Sequence, residues 1–121
     1  MITCGDTPGF VVNRLLVPLM AEAVRMVERG DASINDVDTA MKLGAAHPMG
    51  PLQLADYVGL DTTKFILDGW HAEYPSQPLF ATPRLLSALV AAGFKGDKAN
   101  GGFFIKGQPN PFIAEWVAKN K

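Results

Sequence analysis

The sequence predicts an all-α domain, and three observations lead to that prediction. An apolar stretch from Pro8 to Arg29 has the spacing of one long helix. Beyond it, residues that start helices, such as Ser33, alternate with glycines that end them, such as Gly44. No useful length of the sequence alternates apolar and polar residues as a half-buried strand does. We therefore expect residues 1–121 to form a single domain, a compact bundle of five or six helices joined by short loops.

The first predicted helix is the longest. Asp6 or Thr7 suits its N-cap, Pro8 suits its first turn, and Gly30 stops it. From Pro8 to Arg29 the helix would be about 30 Å long at about 1.5 Å per residue. At about 100° per residue, one arc carries most of its polar side chains. These positions and the proline among them are Arg14, Pro18, Glu22, Arg25, Glu28 and Arg29.

Asn13 departs from this pattern, because it projects from the apolar side of the helix. Its neighbours on that side are Val17, Met20, Val24 and Val27. Burying an amide without partners costs about 1–3 kcal/mol, so a polar group should meet Asn13. Pro18 cannot donate to the carbonyl of Arg14, so the turn that carries Asn13 should be kinked or locally opened. Two interpretations remain: Asn13 bonds a nearby loop carbonyl in a bent core helix, or it belongs to a functional site.

Two shorter helices should follow. Ser33 is a suitable N-cap with Asp36 three residues on, and Gly44 ends that helix at the C′ position. After a loop from 45 to 50, Pro51 starts a short helix that Gly59 closes.

The second half of the sequence shows the same alternation of residues that start helices and glycines that end them. Asp61 should cap a helix, with Leu60 and Phe65 forming a hydrophobic staple. Another helix should start at Thr82-Pro83 and end at Gly93 in a Schellman-type close. We expect a short extended piece at residues 103–105 and a last amphipathic turn or two over residues 111–117.

Composition limits the classes of function. The net charge is −1 and the pI is near 6.0, so there is no basic surface for nucleic acid or anionic membranes. Charged residues make up 19 %, below the usual value of about 25 %, which indicates that a partner covers part of the surface. Cys4 is the only cysteine, so an internal disulfide cannot form and a reducing compartment is expected. The apolar run Leu15–Ala21 is too short to span a bilayer, and Met1–Cys4 shows no targeting segment.

Metal and nucleophile sites are not predicted. His47 and His71 lie in different segments without metal-ligand spacing. We interpret His47 as a hydrogen-bonded turn residue and His71 as a residue at a helix end that interacts with the dipole. The glycine-rich segment 96–102 is not a dinucleotide fingerprint, because a helix precedes it and aromatic residues follow it. It reads as a turn, with Lys98 in solvent.

Three stretches together resemble the C-terminal domain of the 3-hydroxyacyl-CoA dehydrogenases. The first is Asp6-Thr7-Pro8-Gly9-Phe10-x-x-Asn13-Arg14-x-x-x-Pro18, and the second is His47-Pro48-Met49-Gly50-Pro51-Leu52-x-Leu54-x-Asp56-Tyr57-x-Gly59-Leu60-Asp61. The third is the glycine-rich stretch from Gly96 to Phe104. The run from Asp61 to His71 is most similar to the mitochondrial short-chain members of animals. The resemblance covers about residues 3–105 and implies the helical domain type of the 6-phosphogluconate/3-hydroxyacyl-CoA dehydrogenase superfamily.

This resemblance implies an enzyme of fatty acid β-oxidation that oxidises an L-3-hydroxyacyl-CoA and passes a hydride to NAD. In the family, an N-terminal Rossmann domain supplies the NAD fingerprint and a catalytic His–Glu pair, and neither is in this chain. We therefore expect this chain to be the C-terminal domain of a longer enzyme, inactive alone, that completes the acyl-CoA cleft and forms a homodimer. The implied compartment is the mitochondrial matrix, with the cytoplasm as the alternative. Two other interpretations stay open, a free-standing helical interaction module and the domain of a related 3-hydroxy acid dehydrogenase.

The resemblance also assigns roles to single residues. Asn13 matches the family asparagine that lies close to the 3-oxygen of the substrate, where it would donate a hydrogen bond. Met49, Gly50 and Pro51 would form a wall at the acyl end of the cleft, although a purely structural turn explains them equally well.

Lys98 matches the family lysine that reaches toward the nicotinamide cofactor from across the cleft. The chain differs from the family pattern around it, with Asp97 in place of a basic residue, Ala99 in place of a hydroxyl residue and Asn100 in place of glycine.

Overall fold

The computed structural model describes residues 3, 5 and 11–120, and this part of the chain contains six α-helices. They are α1 (Val12–Glu28), α2 (Ile34–Gly44), α3 (Pro51–Val58), α4 (Leu60–Glu73), α5 (Arg84–Ala91) and α6 (Pro111–Lys119). A 3-10 turn, Pro78–Phe80, lies between α4 and α5. Two short strands, β1 (Phe104–Ile105) and β2 (Gln108–Pro109), pair antiparallel before α6. The all-α prediction is confirmed.

The core forms around α1, which contacts α3, α4 and α5, while α2 packs on α3. The side chains that fill it are apolar and almost fully buried. The largest are Met20, Leu52, Leu60, Leu67, Leu85, Leu86, Leu89 and Phe103. Among residues 11–120, no helix is both long and apolar enough to cross a membrane.

Several predicted helix ends are confirmed. Gly30 follows α1 with a φ of 76°, and Ser33 Oγ accepts a hydrogen bond from the Asp36 N–H at 3.1 Å. The short helix α3 starts at Pro51 and is closed by Gly59. The predicted start of α1 at Pro8 and its caps Asp6 and Thr7 lie outside the described residues.

Three local predictions are wrong. Gly44 is the last residue of α2, and the residue in the left-handed conformation is Ala46, with a φ of 57°. Gly59, not Asp61, is the N-cap of α4. The staple does not form, because Leu60 is fully buried while Phe65 is 79 % exposed. Since five residues advance about 500° around a helix, the two side chains point to different sides.

The end of α5 is the predicted Schellman motif. The Phe94 N–H donates to the carbonyl of Leu89 at 2.9 Å, and the Gly93 N–H donates to that of Val90 at 3.1 Å. The predicted tail helix is longer than one or two turns, and the Phe112 ring of α6 lies 5.6 Å from the Phe94 ring.

The polar arc of α1 contacts the segment that leads into α5. Arg25 Nη2 donates to the carbonyl of Ala81 at 2.7 Å. Glu28 Oε1 accepts from the Leu85 N–H at 2.7 Å, at the start of α5 where backbone donors lack helical partners. This arc therefore fixes how α5 packs on α1.

Candidate functional site

Asn13 lies in the first turn of α1 and is exposed. Its neighbours Val12 and Leu15 are 66 % and 67 % exposed, and the first buried residue of the helix is Val17. The expectation that apolar neighbours bury Asn13 is therefore wrong for this chain. The residues that the helical spacing puts on the same side, Val17, Met20, Val24 and Val27, are buried, but the turn that carries Asn13 lies outside the core. The described structure thus exposes Asn13, Val12 and Leu15 together in the first turn of α1.

The loop before α3 is held by Asp38, a buried residue of α2. Asp38 Oδ1 accepts from the Leu52 N–H and Oδ2 from the Gln53 N–H, both at 2.9 Å. Asp38 thus caps the N-terminus of α3 from another helix, where free N–H groups favour a negative charge. Burial raises the pKa of Asp38, while the two backbone N–H bonds lower it.

The same contact explains one residue of the predicted acyl wall. A Cβ at Gly50 would lie 2.2 Å from Cγ of Asp38, so only glycine lets the carboxylate reach α3. Gly50 and Pro51 are buried, and Met49 is half-buried. Gly50 therefore has a structural reason for being glycine, and the role of these three residues toward a substrate stays a prediction.

Asp56 of α3 is a second buried carboxylate, only 2 % exposed. Its Oδ1 accepts from the Phe103 N–H at 2.8 Å and its Oδ2 from the Phe104 N–H at 2.9 Å. Burial raises the pKa of Asp56 to about 6, with smaller contributions in the same direction from the charges of Asp97 and Asp38. The two backbone N–H bonds act in the opposite direction.

Lys98 is at the tip of the glycine-rich turn and forms an ion pair. Its Nζ lies 2.7 Å from Oδ1 of Asp61, in the first turn of α4, and its side chain is 51 % exposed. The hydrogen bond from Lys98 lowers the pKa of Asp61. Lys98 is therefore exposed, as predicted, and it is also paired with Asp61. Because an ammonium has three donors, the pair with Asp61 leaves two for a further acceptor.

A polar cavity of about 410 Å³ joins the two buried carboxylates. It lies between α2, α3 and the segment after the glycine-rich turn, and its lining contains lysine as well as aspartate side chains. Its charged lining residues are Asp38, Lys42, Asp56, Asp97 and Lys106. Asn13, Met49 and Lys98 are not among the lining residues, so this cavity does not bring the predicted site residues together.

The two histidines lie where their structural interpretation places them, at a helix end and in a hydrogen-bonded turn. His71 lies in the last turn of α4, as predicted, and His47 is half-buried in the loop after α2, where its N–H donates to the carbonyl of Met41 at 3.2 Å. Within residues 3, 5 and 11–120, no three His, Cys, Asp or Glu side chains are grouped as metal ligands.

Sequence reasoning missed Asp38 and Asp56, although a signal was present. Each lies four residues after a buried apolar residue of the same helix, Ile34 and Leu52. Positions four apart share a helix face, so both carboxyl groups were placed on the core side. A carboxylate at such a position needs hydrogen-bond donors, and unpaired backbone N–H groups are the nearest source.

Residues 9–106 match the family described as the C-terminal domain of 3-hydroxyacyl-CoA dehydrogenase. The chain belongs to this family, and its fold is the helical domain of these oxidoreductases.

Individual relatives agree with this assignment. The chain is 62 % identical over 103 residues to mitochondrial hydroxyacyl-coenzyme A dehydrogenase of Mus musculus, a match that covers 85 % of this chain and 33 % of that protein. It is 61 % identical over 103 residues to a probable 3-hydroxyacyl-CoA dehydrogenase of Caenorhabditis elegans, covering 85 % of this chain and 33 % of that protein. The crystal structure of Mycobacterium tuberculosis FadB2 superposes with a TM-score of 0.80 at 50 % identity, covering 84 % of this chain and 35 % of that one. The chain thus spans about a third of the length of these relatives.

Proposed function

We propose that this chain is the C-terminal domain of an NAD-dependent L-3-hydroxyacyl-CoA dehydrogenase. Its role there is to complete the acyl-CoA cleft and to form the contact between two subunits. The observation that carries this proposal is the exposed end of α1 within the family match, where Asn13 is exposed in the same turn as the apolar residues Val12 and Leu15. A helix end that exposes large apolar side chains suits a surface that a second domain covers.

The chemistry requires parts outside this chain. Oxidation of a 3-hydroxy group removes its proton and passes a hydride to NAD, which supplies the hydride chemistry when bound. A Rossmann domain N-terminal to this chain would bind NAD and carry the His–Glu pair. The amide of Asn13 would donate a hydrogen bond to the 3-oxygen, where negative charge shifts as the proton leaves. Asn13 would thus stabilise the transition state without transferring a proton itself.

Lys98 suits a contact with the cofactor from the edge of the cleft. Its side chain is half exposed, and its Nζ lies 2.7 Å from Asp61 Oδ1. Two donors remain for a carbonyl or phosphate oxygen. Met49, Gly50 and Pro51 would border the acyl end of the cleft.

The proposed setting follows from the relatives. Four of them, from mouse, rat, pig and human, have names that place them in mitochondria, so we propose the mitochondrial matrix and a role in fatty acid β-oxidation. Bacterial relatives, such as 3-hydroxybutyryl-CoA dehydrogenase of Mycobacterium tuberculosis, make the cytoplasm the alternative.

The test uses a chimaera in which this chain replaces the matching segment of the mouse enzyme. Asn13→Ala should lower kcat by about 10²–10³ where the site is dry, with a much smaller change in KM for the acyl-CoA. In the 121-residue chain, where Asn13 is exposed, the same substitution should leave the melting temperature unchanged. Gln108→Ala removes another exposed amide, on β2, and should leave kcat unchanged. An unchanged kcat in Asn13→Ala would remove Asn13 from the active site.

A further inference from the structure

We propose that Asp56 is a positioning residue, which fixes the glycine-rich turn and thereby places Lys98 at the cofactor side of the cleft. The inference rests on the proposed contact between Lys98 and the cofactor. Asp56 itself is buried and would touch neither substrate nor cofactor, so it would act only through the turn.

Asp56 holds both ends of the segment 96–104. Its backbone carbonyl accepts from the Asp97 N–H at 3.0 Å, next to Lys98. Its carboxylate accepts from the N–H groups of Phe103 and Phe104. One residue of α3 therefore receives three hydrogen bonds from a segment about forty positions further along the chain.

Two glycines allow this close approach. A Cβ at Gly96 would lie 2.4 Å from the backbone oxygen of Asp56, and a Cβ at Gly102 would lie 2.2 Å from its Oδ1. Neither position can carry a side chain unless the segment moves away from α3. The turn is also closed on itself, because Gly96 and Gly101 exchange N–H···O bonds at 3.0 and 3.2 Å. With both ends fixed on Asp56 and closed, the turn has little freedom in how it presents its tip.

Lys98 is at that tip, and its surroundings show where the turn holds it. The Nζ reaches Asp61 at 2.7 Å and lies 3.0 Å from the position of a Cβ at Gly59. The ammonium thus lies over the junction between α3 and α4. The pair with Asp61 is half exposed and adds little by itself, because exposed ion pairs contribute about 0–1 kcal/mol. The anchor on Asp56 therefore contributes more to the position of the turn than this ion pair does.

Asp38 offers a matched control. It is also a buried aspartate whose carboxylate accepts two backbone N–H bonds, but it holds the start of α3. Replacing either aspartate by asparagine keeps the shape and removes one acceptor oxygen. If the effect of Asp56 were only on stability, the two variants would behave alike toward the cofactor.

The experiment is a double-mutant cycle in the mouse chimaera, with KM for NAD as the readout. Lys98→Met and Asp56→Asn should each raise KM for NAD about tenfold, with much smaller changes in kcat, a factor that corresponds to about 1.4 kcal/mol. The double variant should be no worse than Lys98→Met alone, because Asp56 would act through Lys98. Asp38→Asn should leave KM for NAD unchanged in both backgrounds.

Two further measurements keep the test decisive. In the 121-residue chain, Asp56→Asn should speed amide hydrogen exchange at residues 96–104, whereas Asp38→Asn should speed it near residues 50–54. If Asp56→Asn does not fold, Gly102→Ala displaces the same segment without changing a charge and should reproduce the effect on KM. Its control is Gly69→Ala in α4, where the added Cβ meets nothing within 4 Å.

The outcomes separate the two proposals. Asp56→Asn could raise KM for NAD by the same factor in the wild-type and Lys98→Met backgrounds, or leave amide hydrogen exchange at residues 96–104 unchanged. Either result would overturn the positioning role and leave the proposed cofactor contact intact. An unchanged KM in Lys98→Met would overturn that contact and the positioning role with it.

Discussion

Substitution of Asp56 by asparagine should change how the stability of the domain depends on pH. The pKa of this carboxyl is raised from 3.8 to about 6, mainly by burial. Because the folded state holds the proton more tightly than the unfolded state, it binds more protons between those two values. The resulting stabilisation is fully present below pH 3.8 and is lost as the pH rises through about 6. At about 1.4 kcal/mol for each pH unit, it corresponds to about 3 kcal/mol.

Asparagine does not titrate, so Asp56→Asn lacks this contribution at every pH. The difference in free energy of unfolding, wild type minus variant, should therefore fall by up to about 3 kcal/mol between pH 4 and pH 7. Urea unfolding of both proteins at half-unit pH steps measures it, and the other titrating groups largely cancel in the difference. The loss of one hydrogen bond in the variant offsets the curve at all pH values without giving it a slope.

Asp61→Asn provides a control of opposite sign. The hydrogen bond from Lys98 lowers the pKa of Asp61, so the stability it contributes is present above the unfolded pKa and is lost as the pH falls. A wild-type-minus-variant difference that stays flat from pH 4 to pH 7 for Asp56, or that rises with pH, would refute the reasoning.

Three further predictions concern the stability, the activity and the assembly of the domain. Asp38→Ala should lower the free energy of unfolding by about 2–4 kcal/mol, because the buried N–H of Leu52 and the half-buried N–H of Gln53 lose their acceptor. Urea unfolding measures this loss, and a loss below about 1 kcal/mol would contradict the prediction. The isolated chain should neither oxidise 3-hydroxybutyryl-CoA nor bind NAD strongly, so a steady NADH signal that Asn13→Ala abolishes would refute the proposed division of labour. The chain should form a homodimer through its exposed apolar residues. A stable dimer interface would bury about 1,200–2,000 Å² in total. Sedimentation that shows only monomer at tens of micromolar would count against it.

The sequence predicted those features of the fold that depend on a few neighbouring residues. Ser33, Pro51 and Gly93 mark helix ends through contacts that reach at most five positions along the chain, and each was placed correctly. The failures at Gly44 and Asp61 are shifts of two residues. At such ends several neighbouring residues satisfy the same backbone groups, so propensity alone does not choose between them.

The site was harder to predict, because its contacts join distant parts of the chain. Asp38 reaches α3 across 14 residues, and Asp56 reaches Phe103 across 47. The ion pair between Lys98 and Asp61 likewise depends on how the turn packs on α4. For Asn13, helical spacing gave an angle around the axis but not the distance from the core. The residues were therefore identified by resemblance, whereas their surroundings needed the structure.

The start of α6 contacts the same backbone segment, residues 102–104, that Asp56 binds. Phe103 donates its N–H to Asp56, and its carbonyl accepts from the Asn110 N–H at 2.8 Å. The side chain of Asn110 donates to the carbonyl of Gly102 and accepts from the Phe112 N–H, so it caps α6 and binds the segment at once. The family match ends at residue 106, yet α6 begins at Pro111 and packs Ile113 into the core. Residues beyond the family match therefore also support the backbone that Asp56 holds in place.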